Sequence, residues 1–105
     1  MRSTGRLSGM SFRSTKLLRS AQGQACVLCR REGTTVSAHC NLTVHGKGIG
    51  IKCPDCLVAW LCHECHSLLD GQTGNWTKEE KRTMWYRAFA FTVVQWFEQG
   101  IVEVT

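Results

Sequence analysis

Three Cys-x-x-Cys pairs in a chain of 105 residues constrain its fold more than any other feature. The pairs are Cys26/Cys29, Cys53/Cys56 and Cys62/Cys65. A single domain of this size often needs cross-links in addition to its apolar core, and cysteines can supply them as disulfides or metal ligands. The total of seven cysteines is odd, and no stretch has the apolar length of a secretory signal or a membrane span. We therefore expect a zinc site in a reducing cytoplasm.

Two of these pairs would supply the four thiolates of a closed tetrahedral zinc site. The first pair could combine with the second, across residues 30–52, or with the third, across residues 30–61. Both loops suit a four-cysteine site, so spacing alone does not decide between them. Cys40 belongs to no pair and is expected to be a small buried residue.

The basic residues are concentrated at the N-terminal end. The chain has a formal charge of +5, and residues 1–31 carry seven Lys or Arg side chains and no acidic one. This asymmetry favours a nucleic-acid partner, bound through phosphate contacts, over a basic tail with no partner. Residues 1–13 are rich in Ser, Gly and Arg and predict a flexible basic arm, followed by a single domain over residues 14–105.

The segments around the cysteines predict short elements of both kinds. They are a helix capped by Ser14 or Thr15, short strands and tight turns over residues 26–56, a strand over residues 57–61 and a helix over residues 62–69. The chain is therefore expected to have an α+β fold with a loop-rich centre.

The last third predicts one long helix. Thr77 and Glu80 form a capping-box pattern, and Gly100 ends the helical periodicity. Apolar side chains recur at three- and four-residue spacing, at Met84, Trp85, Ala88, Phe89, Val93, Trp96 and Phe97. We expect these in the core, together with Trp60 and Trp76. Residues 101–104 predict a final strand.

Two histidines near the cysteines make a family resemblance specific. The stretch SAHCNLTVHGKGIGIKCPDCLVAWLCHECHSLLD, residues 37–70, resembles the core of a small phage and prophage family of putative nucleases that includes YbcO. The shared features are an Ala-His pair, a Gly-rich turn, an Asp before an apolar strand, CxxCH, and an Asp four residues on. The resemblance extends from about Lys16 to the C-terminus. The chain is more distantly similar to phage endonuclease VII, within the HNH, or ββα-metal, superfamily.

The resemblance implies a zinc-stapled, HNH-like ββα core followed by a long helix, in a protein of the bacterial host cytoplasm. The residues that it assigns to structural Zn²⁺ are Cys26, Cys29, Cys62 and Cys65. His39 would be the general base, since histidine can take a proton from water near neutral pH. His66, with a carboxylate, would hold Mg²⁺ or another divalent metal. Asp55 falls about two residues before the central Asn of HNH motifs, and Asp70 matches the family's second acid.

The chain departs from the family pattern at two places. Most HNH motifs carry an Asp or His ligand just before the base, where this chain has Ala38. The missing ligand would then be Asp55, Asp70 or His45. Cys53 and Cys56 are additional to the family pattern. They could be free thiols, a competing zinc site or a disulfide. His66 could alternatively replace a cysteine at the zinc, and Asp70 could simply end a helix.

These features predict a metal-dependent endonuclease that hydrolyses phosphodiester bonds of DNA. The alternative is a non-catalytic zinc module that binds nucleic acid or a phage or host protein. A thiol redox role for Cys53 and Cys56 is disfavoured, because no βαβ pattern surrounds them.

Overall fold

The computed structural model describes residues 12–40, 53–71 and 75–104. The elements are α1 (Thr15–Arg19), β1 (Val36–His39), β2 (Val58–Leu61), α2 (His63–Asp70) and α3 (Lys78–Glu98). The predicted α+β class is confirmed, with β1 and β2 forming a two-stranded antiparallel sheet. Residues 1–11 of the predicted arm, His45 and the Gly-rich turn lie outside the described residues.

Helices α1 and α3 begin directly after the residues predicted to cap them. The Ser14 side chain accepts a hydrogen bond from the Leu17 amide at the start of α1. In α3 the Thr77 hydroxyl accepts from the Glu80 amide, and the Glu80 carboxylate accepts from the Thr77 amide, which completes the capping box. These reciprocal bonds satisfy amides that have no partner within the helix.

The end of α3 corrects one prediction, because residues 101–104 form no strand. Gly100 adopts a left-handed conformation with φ of 73°. Its amide donates to the Phe97 carbonyl, and the Ile101 amide donates to the Trp96 carbonyl. This Schellman arrangement satisfies the last helical carbonyls and turns the chain back onto α3.

One face of the sheet is covered by α1. The register pairs Ser37 with Trp60 and His39 with Val58, so these side chains share a face. The Ser37 hydroxyl donates to the Leu18 carbonyl of α1 at 2.8 Å. The indole N–H groups of Trp60 and Trp96 both donate to the Ser20 hydroxyl, at 3.0 and 2.9 Å. The end of α1 is therefore tied to the sheet and to α3.

The free edge of β2 is closed by two different partners. The Trp60 amide donates to the Thr92 hydroxyl of α3 at 2.9 Å, and the Trp60 carbonyl accepts from the Val27 amide at 3.0 Å. The Thr92 hydroxyl in turn donates to the Ala88 carbonyl. Thr92 was not among the predicted core residues, yet it is fully buried. It joins α3 to β2, while Val27 joins the first cysteine pair to the same strand.

Replacing Thr92 by valine is expected to destabilise the protein by about 1–3 kcal/mol, because it leaves the buried Trp60 amide without an acceptor at nearly unchanged volume. Chemical denaturation of the zinc-loaded protein measures this loss. Thr83→Val, at an exposed position of the same helix, is the control and should change the free energy of unfolding by less than about 0.5 kcal/mol. Equal effects of the two substitutions would contradict the role given to Thr92.

Two aromatic residues predicted for the core are exposed. Phe97 is 47% exposed and Trp76 is 37% exposed. Phe97 follows Trp96, whose side chain is buried, and one residue turns the helix by about 100°, so Phe97 is directed away from the core. Trp76 precedes the first turn of α3. Across the described ranges, none of the helices combines the length and apolar character that a membrane crossing requires.

Candidate functional site

Four cysteines, Cys26, Cys29, Cys62 and Cys65, form the one group of possible metal ligands found among the described residues. Their sulfur atoms lie within 4.8 Å of one another, and the Cys29 and Cys62 sulfurs are 3.5 Å apart. A tetrahedral zinc with Zn–S bonds of about 2.3 Å places its sulfurs roughly 3.8 Å apart. The observed spacing fits that geometry and is far from the ~2.05 Å of a disulfide. The cluster can therefore hold a metal such as zinc, and it is the set implied by the resemblance.

The first cysteine pair lies in a tight turn. The Cys26 amide donates to the Arg31 carbonyl at 2.8 Å, and the Arg30 amide donates to the Cys26 carbonyl at 2.9 Å. Arg30 has a φ of 69°, which is uncommon for a residue other than glycine. The Arg31 amide points at the Cys29 sulfur, 3.5 Å away. This turn directs both sulfurs to one side, towards the third pair.

The third cysteine pair lies at the start of α2. Cys62 is the N-cap residue, and its sulfur accepts from the Cys65 amide at 3.4 Å. The Thr34 hydroxyl accepts from the His63 amide at 3.0 Å, which satisfies another free amide of this helix end. The positive end of the helix dipole favours thiolate ligands here. Because Cys62 directly follows β2 and Val27 is bonded to that strand, the sheet itself brings the two pairs together.

The thiols of the cluster differ in acidity. Burial acts to raise the pKa of the Cys26 thiol, but hydrogen bonds from backbone amides, that of Cys29 foremost, lower it to about 7. Burial raises the pKa of Cys65, and hydrogen bonds to the thiols of Cys62 and Cys26 add to that effect. Burial also raises the pKa of Cys62, although hydrogen bonds from Cys65 act to lower it. A metal that binds all four sulfurs would displace the protons of these thiols.

The second cysteine pair does not join the cluster. Cys53 is buried, and its thiol donates to the Cys40 carbonyl at 2.9 Å, whereas Cys56 is half-buried. Cys40 is buried, as expected of a small core residue. Between the paired cysteines the chain turns at Pro54, whose carbonyl accepts from the Leu57 amide. This turn presents the side chain of Asp55 to the end of β1.

His39 and Asp55 form a hydrogen-bonded pair. His39 is the last residue of β1, and its Nε2 lies 2.9 Å from Oδ1 of Asp55. The His39 side chain is 40% exposed, whereas the Asp55 side chain is 6% exposed. With the carboxylate ionised, Nε2 carries the proton that is donated to Asp55, and Nδ1 of the neutral ring is left to accept one. The pair thus combines a buried carboxylate with a partly exposed imidazole.

Three further groups hold Asp55 in place. Its Oδ2 accepts from the Ser14 amide at 2.8 Å, and Nη1 of Arg13 lies 3.9 Å from Oδ1. The Asp55 amide donates to the Phe12 carbonyl at 2.9 Å. Burial acts to raise the pKa of Asp55, but the hydrogen bonds from His39 and Ser14 and the charge of Arg13 hold it below its usual range. The carboxylate therefore stays ionised at neutral pH.

Sequence reasoning missed Arg13 and Ser14 as parts of this site. Arg13 also donates to the Cys53 carbonyl at 3.0 Å, and its side chain is 46% exposed. Both residues lie about forty positions before Asp55 in the sequence, and no local motif links them. Ser14 was identified only as a helix cap.

The remaining predicted residues lie on or beside these elements. His66 is half-buried in the middle of α2, and Asp70, the last residue of that helix, is exposed. Ala38 is buried. In the part of the chain that the structure describes, His39, His66, Asp55 and Asp70 do not form a compact group of three or more ligands.

Comparison with known proteins identifies the family. Residues 15–101 match the family model described as putative nuclease YbcO. This range covers most of the chain, and the protein belongs to that family. No curated protein and no solved structure gives a significant match.

Proposed function

Starting from its membership of the putative nuclease family YbcO, we propose that this protein is an HNH-type endonuclease that hydrolyses phosphodiester bonds of DNA. In this proposal His39 activates water, Asp55 positions His39, and His66 with Asp70 holds a divalent metal such as Mg²⁺. The four-cysteine cluster holds a structural zinc. The proposed setting is the cytoplasm of a bacterial host, where reducing conditions keep the thiols available to metal.

The observation that carries this proposal is the His39–Asp55 hydrogen bond of 2.9 Å. A general base needs an accessible proton-accepting atom and a partner that fixes its ring orientation. His39 has both, because its ring is partly exposed while the carboxylate is buried and held by Ser14 and Arg13. A histidine with only a packing role would not require a buried, ionised carboxylate that is itself held by Ser14 and Arg13.

The arrangement of the elements supports an HNH-like core. The antiparallel strands β1 and β2 are followed at once by α2, and the cysteine cluster links the start of α2 to the turn before β1. His39 ends β1, and His66 lies on the helix. The four thiolates of a closed zinc site leave His66 free of a zinc-binding role, which weakens the alternative of a histidine in the zinc set.

His66 and Asp70 are the residues we propose for the second metal. They are four residues apart on α2, so their side chains lie on the same face, about one turn from each other. Asp55 is less suited to this role, because its side chain is buried and holds the His39 ring. A divalent metal bound there would supply Lewis-acid stabilisation of the negative charge that develops at the phosphate and the leaving oxygen.

Exposed cations near the base support an anionic substrate. Arg13 uses Nη1 to contact Asp55 and backbone carbonyls, while nearly half of its side chain faces solvent. Lys16 and Arg19 are exposed on α1, and Arg30 is exposed beside the cysteine cluster, where Arg31 forms an ion pair with Glu64 at 2.8 Å. Such residues would hold the phosphate backbone without reading its sequence.

Cleavage of supercoiled plasmid and of a branched DNA tests the proposal, with Mg²⁺, Mn²⁺ or Ni²⁺ and zinc-loaded protein. We expect the wild type to cleave and His39→Ala to lose about 10²–10⁴-fold in rate, the usual contribution of a general base. His63→Ala is the matched control, since His63 is exposed at the start of α2. Retained zinc in all three proteins shows that the fold is intact. Equal cleavage by wild type and His39→Ala would refute the proposed base.

A non-catalytic zinc module that binds nucleic acid or a protein is the second candidate. Two observations favour it: Ala38 is buried where HNH motifs carry a ligand, and the described residues contain no compact ligand group besides the cysteines. This candidate predicts salt-dependent DNA binding that is unchanged in His39→Ala, with no cleavage under any metal.

A further inference from the structure

The outer face of α3 carries several large exposed apolar side chains. Buried side chains on the inner face of the helix are Trp85, Ala88, Thr92 and Trp96. Four large apolar side chains on the other side are exposed, namely Tyr86 at 38%, Phe91 at 42%, Val94 at 49% and Phe97 at 47%. A surface helix ordinarily has a polar outer face. We call these four residues, with the intervening Ala90, the α3 patch.

The area of the α3 patch suits an interface between two small proteins. Four large apolar side chains that are nearly half exposed present roughly 400 Å² of apolar surface, within the range of the largest patch on a typical monomer, which is often functional. Two copies face to face would bury about 800 Å² from these side chains alone. The flanking side chains of three helical turns would bring the total to roughly the 1,200 Å² of the smallest specific interfaces.

Charges at the ends of the patch favour a second copy of this chain in antiparallel orientation. Arg87 and Glu98 are both exposed and are separated by about three turns, so they lie on the same face of α3, near the two ends of the patch. Arg87 lies over the Phe91 ring, with 5.8 Å from its guanidinium carbon to the ring centre. A two-fold axis midway between Arg87 and Glu98 passes within about one residue of the centre of the patch. That axis would place each Arg87 opposite the Glu98 of the other copy.

We propose that the protein forms a homodimer through the α3 patch, with the two α3 helices antiparallel and Arg87 paired with Glu98 across the interface. A two-fold interface uses the same surface on both subunits, so one apolar patch with opposite charges at its two ends is self-complementary. A parallel arrangement would place like charges opposite each other. This proposal is independent of the nuclease function, since it uses no residue of the proposed site.

Sedimentation equilibrium of the zinc-loaded chain of 105 residues tests the proposal with a charge exchange. We expect a concentration-dependent dimer, weakened about 10-fold or more in dissociation constant by Arg87→Glu or by Glu98→Arg, since each creates two like-charge contacts. The double variant should recover to within about 3-fold of wild type, because the pairs are restored in reverse. Val94→Lys, at the centre of the patch, should give a monomer. Arg82→Glu, exposed on α3 beyond the charged ends of the patch, should leave the dimer unchanged.

Two outcomes would overturn the proposal. A monomer at every concentration would show that something other than a second copy covers the patch, such as a different protein. A dimer that persists in Val94→Lys, or that the double exchange fails to restore, would place the interface or its orientation elsewhere. Zinc content and the thermal transition, measured on each variant, distinguish a lost interface from a lost fold.

Discussion

Removing zinc, or replacing Cys65 by serine, is expected to abolish the cooperative unfolding transition of this protein. The four sulfurs join the turn before β1 to the start of α2, and the described sheet has only two strands. Structural zinc sites contribute about 10–16 kcal/mol in apparent binding free energy, whereas a domain of this size is stable by about 5–15 kcal/mol in total. The metal-free chain should therefore lack a fixed core.

Thermal unfolding followed by tryptophan fluorescence measures this effect, because Trp60 and Trp96 are buried. We expect one zinc per chain in the wild type, loss of the transition in a chelator, and its return when zinc is added back. Cys56→Ser is the matched control, since Cys56 also belongs to a Cys-x-x-Cys pair but lies outside the cluster. It should keep both its zinc and its transition. A chelated wild type that still unfolds cooperatively would contradict a structural role for the metal.

The four-cysteine cluster illustrates what the sequence can predict. A Cys-x-x-Cys pair needs only a local turn to direct two sulfurs to one side, so each pair is visible as a motif. Which pair combines with the first cysteine pair cannot be read from a local motif, because it depends on how the chain between the pairs folds back. That return is set by β2, whose Trp60 carbonyl accepts from the Val27 amide and whose last residue, Leu61, directly precedes Cys62. The family resemblance, not spacing, points to the third pair, and the structure places that pair next to the first.

The Asp55 environment illustrates what the sequence could not predict. Asp55 was identified from a motif position, and its possible roles included that of a metal ligand. Its partners are an amide at Ser14, a guanidinium at Arg13 and an imidazole at His39, each from a different segment. Such contacts depend on tertiary packing and leave no periodicity or motif in the chain. Thr92 was missed for a similar reason, since a buried hydroxyl is recognised only once its strand partner is known.

Asp55→Asn is expected to lower the rate of DNA cleavage by about 10²-fold, while zinc content stays unchanged. The carboxylate accepts from both His39 and Ser14 through separate oxygens and faces the charge of Arg13. An amide has a single oxygen, so it can accept from His39 or from Ser14 but not from both. The NH₂ group of the asparagine then faces the N–H of the other partner, His39 or Ser14, and two donors cannot bond to each other. The His39 ring therefore loses either its fixed orientation or the tautomer that donates to residue 55.

The pH dependence of cleavage separates a positioning role from a purely structural one. Burial acts to raise the pKa of Asp55, but the hydrogen bonds from His39 and Ser14 and the charge of Arg13 hold it below its usual range, so the carboxylate loses its charge only as the pH falls through that lowered pKa. Cleavage by the wild type should therefore decline in acid as Asp55 becomes protonated, whereas Asp55→Asn, which does not titrate at this position, should lack that decline. Glu32→Gln removes an exposed carboxylate elsewhere and should alter neither rate nor profile. A slow Asp55→Asn variant that keeps the acid limb of the wild type would mean that Asp55 stabilises the fold without positioning the base, and the role proposed for the pair would then rest on His39 alone.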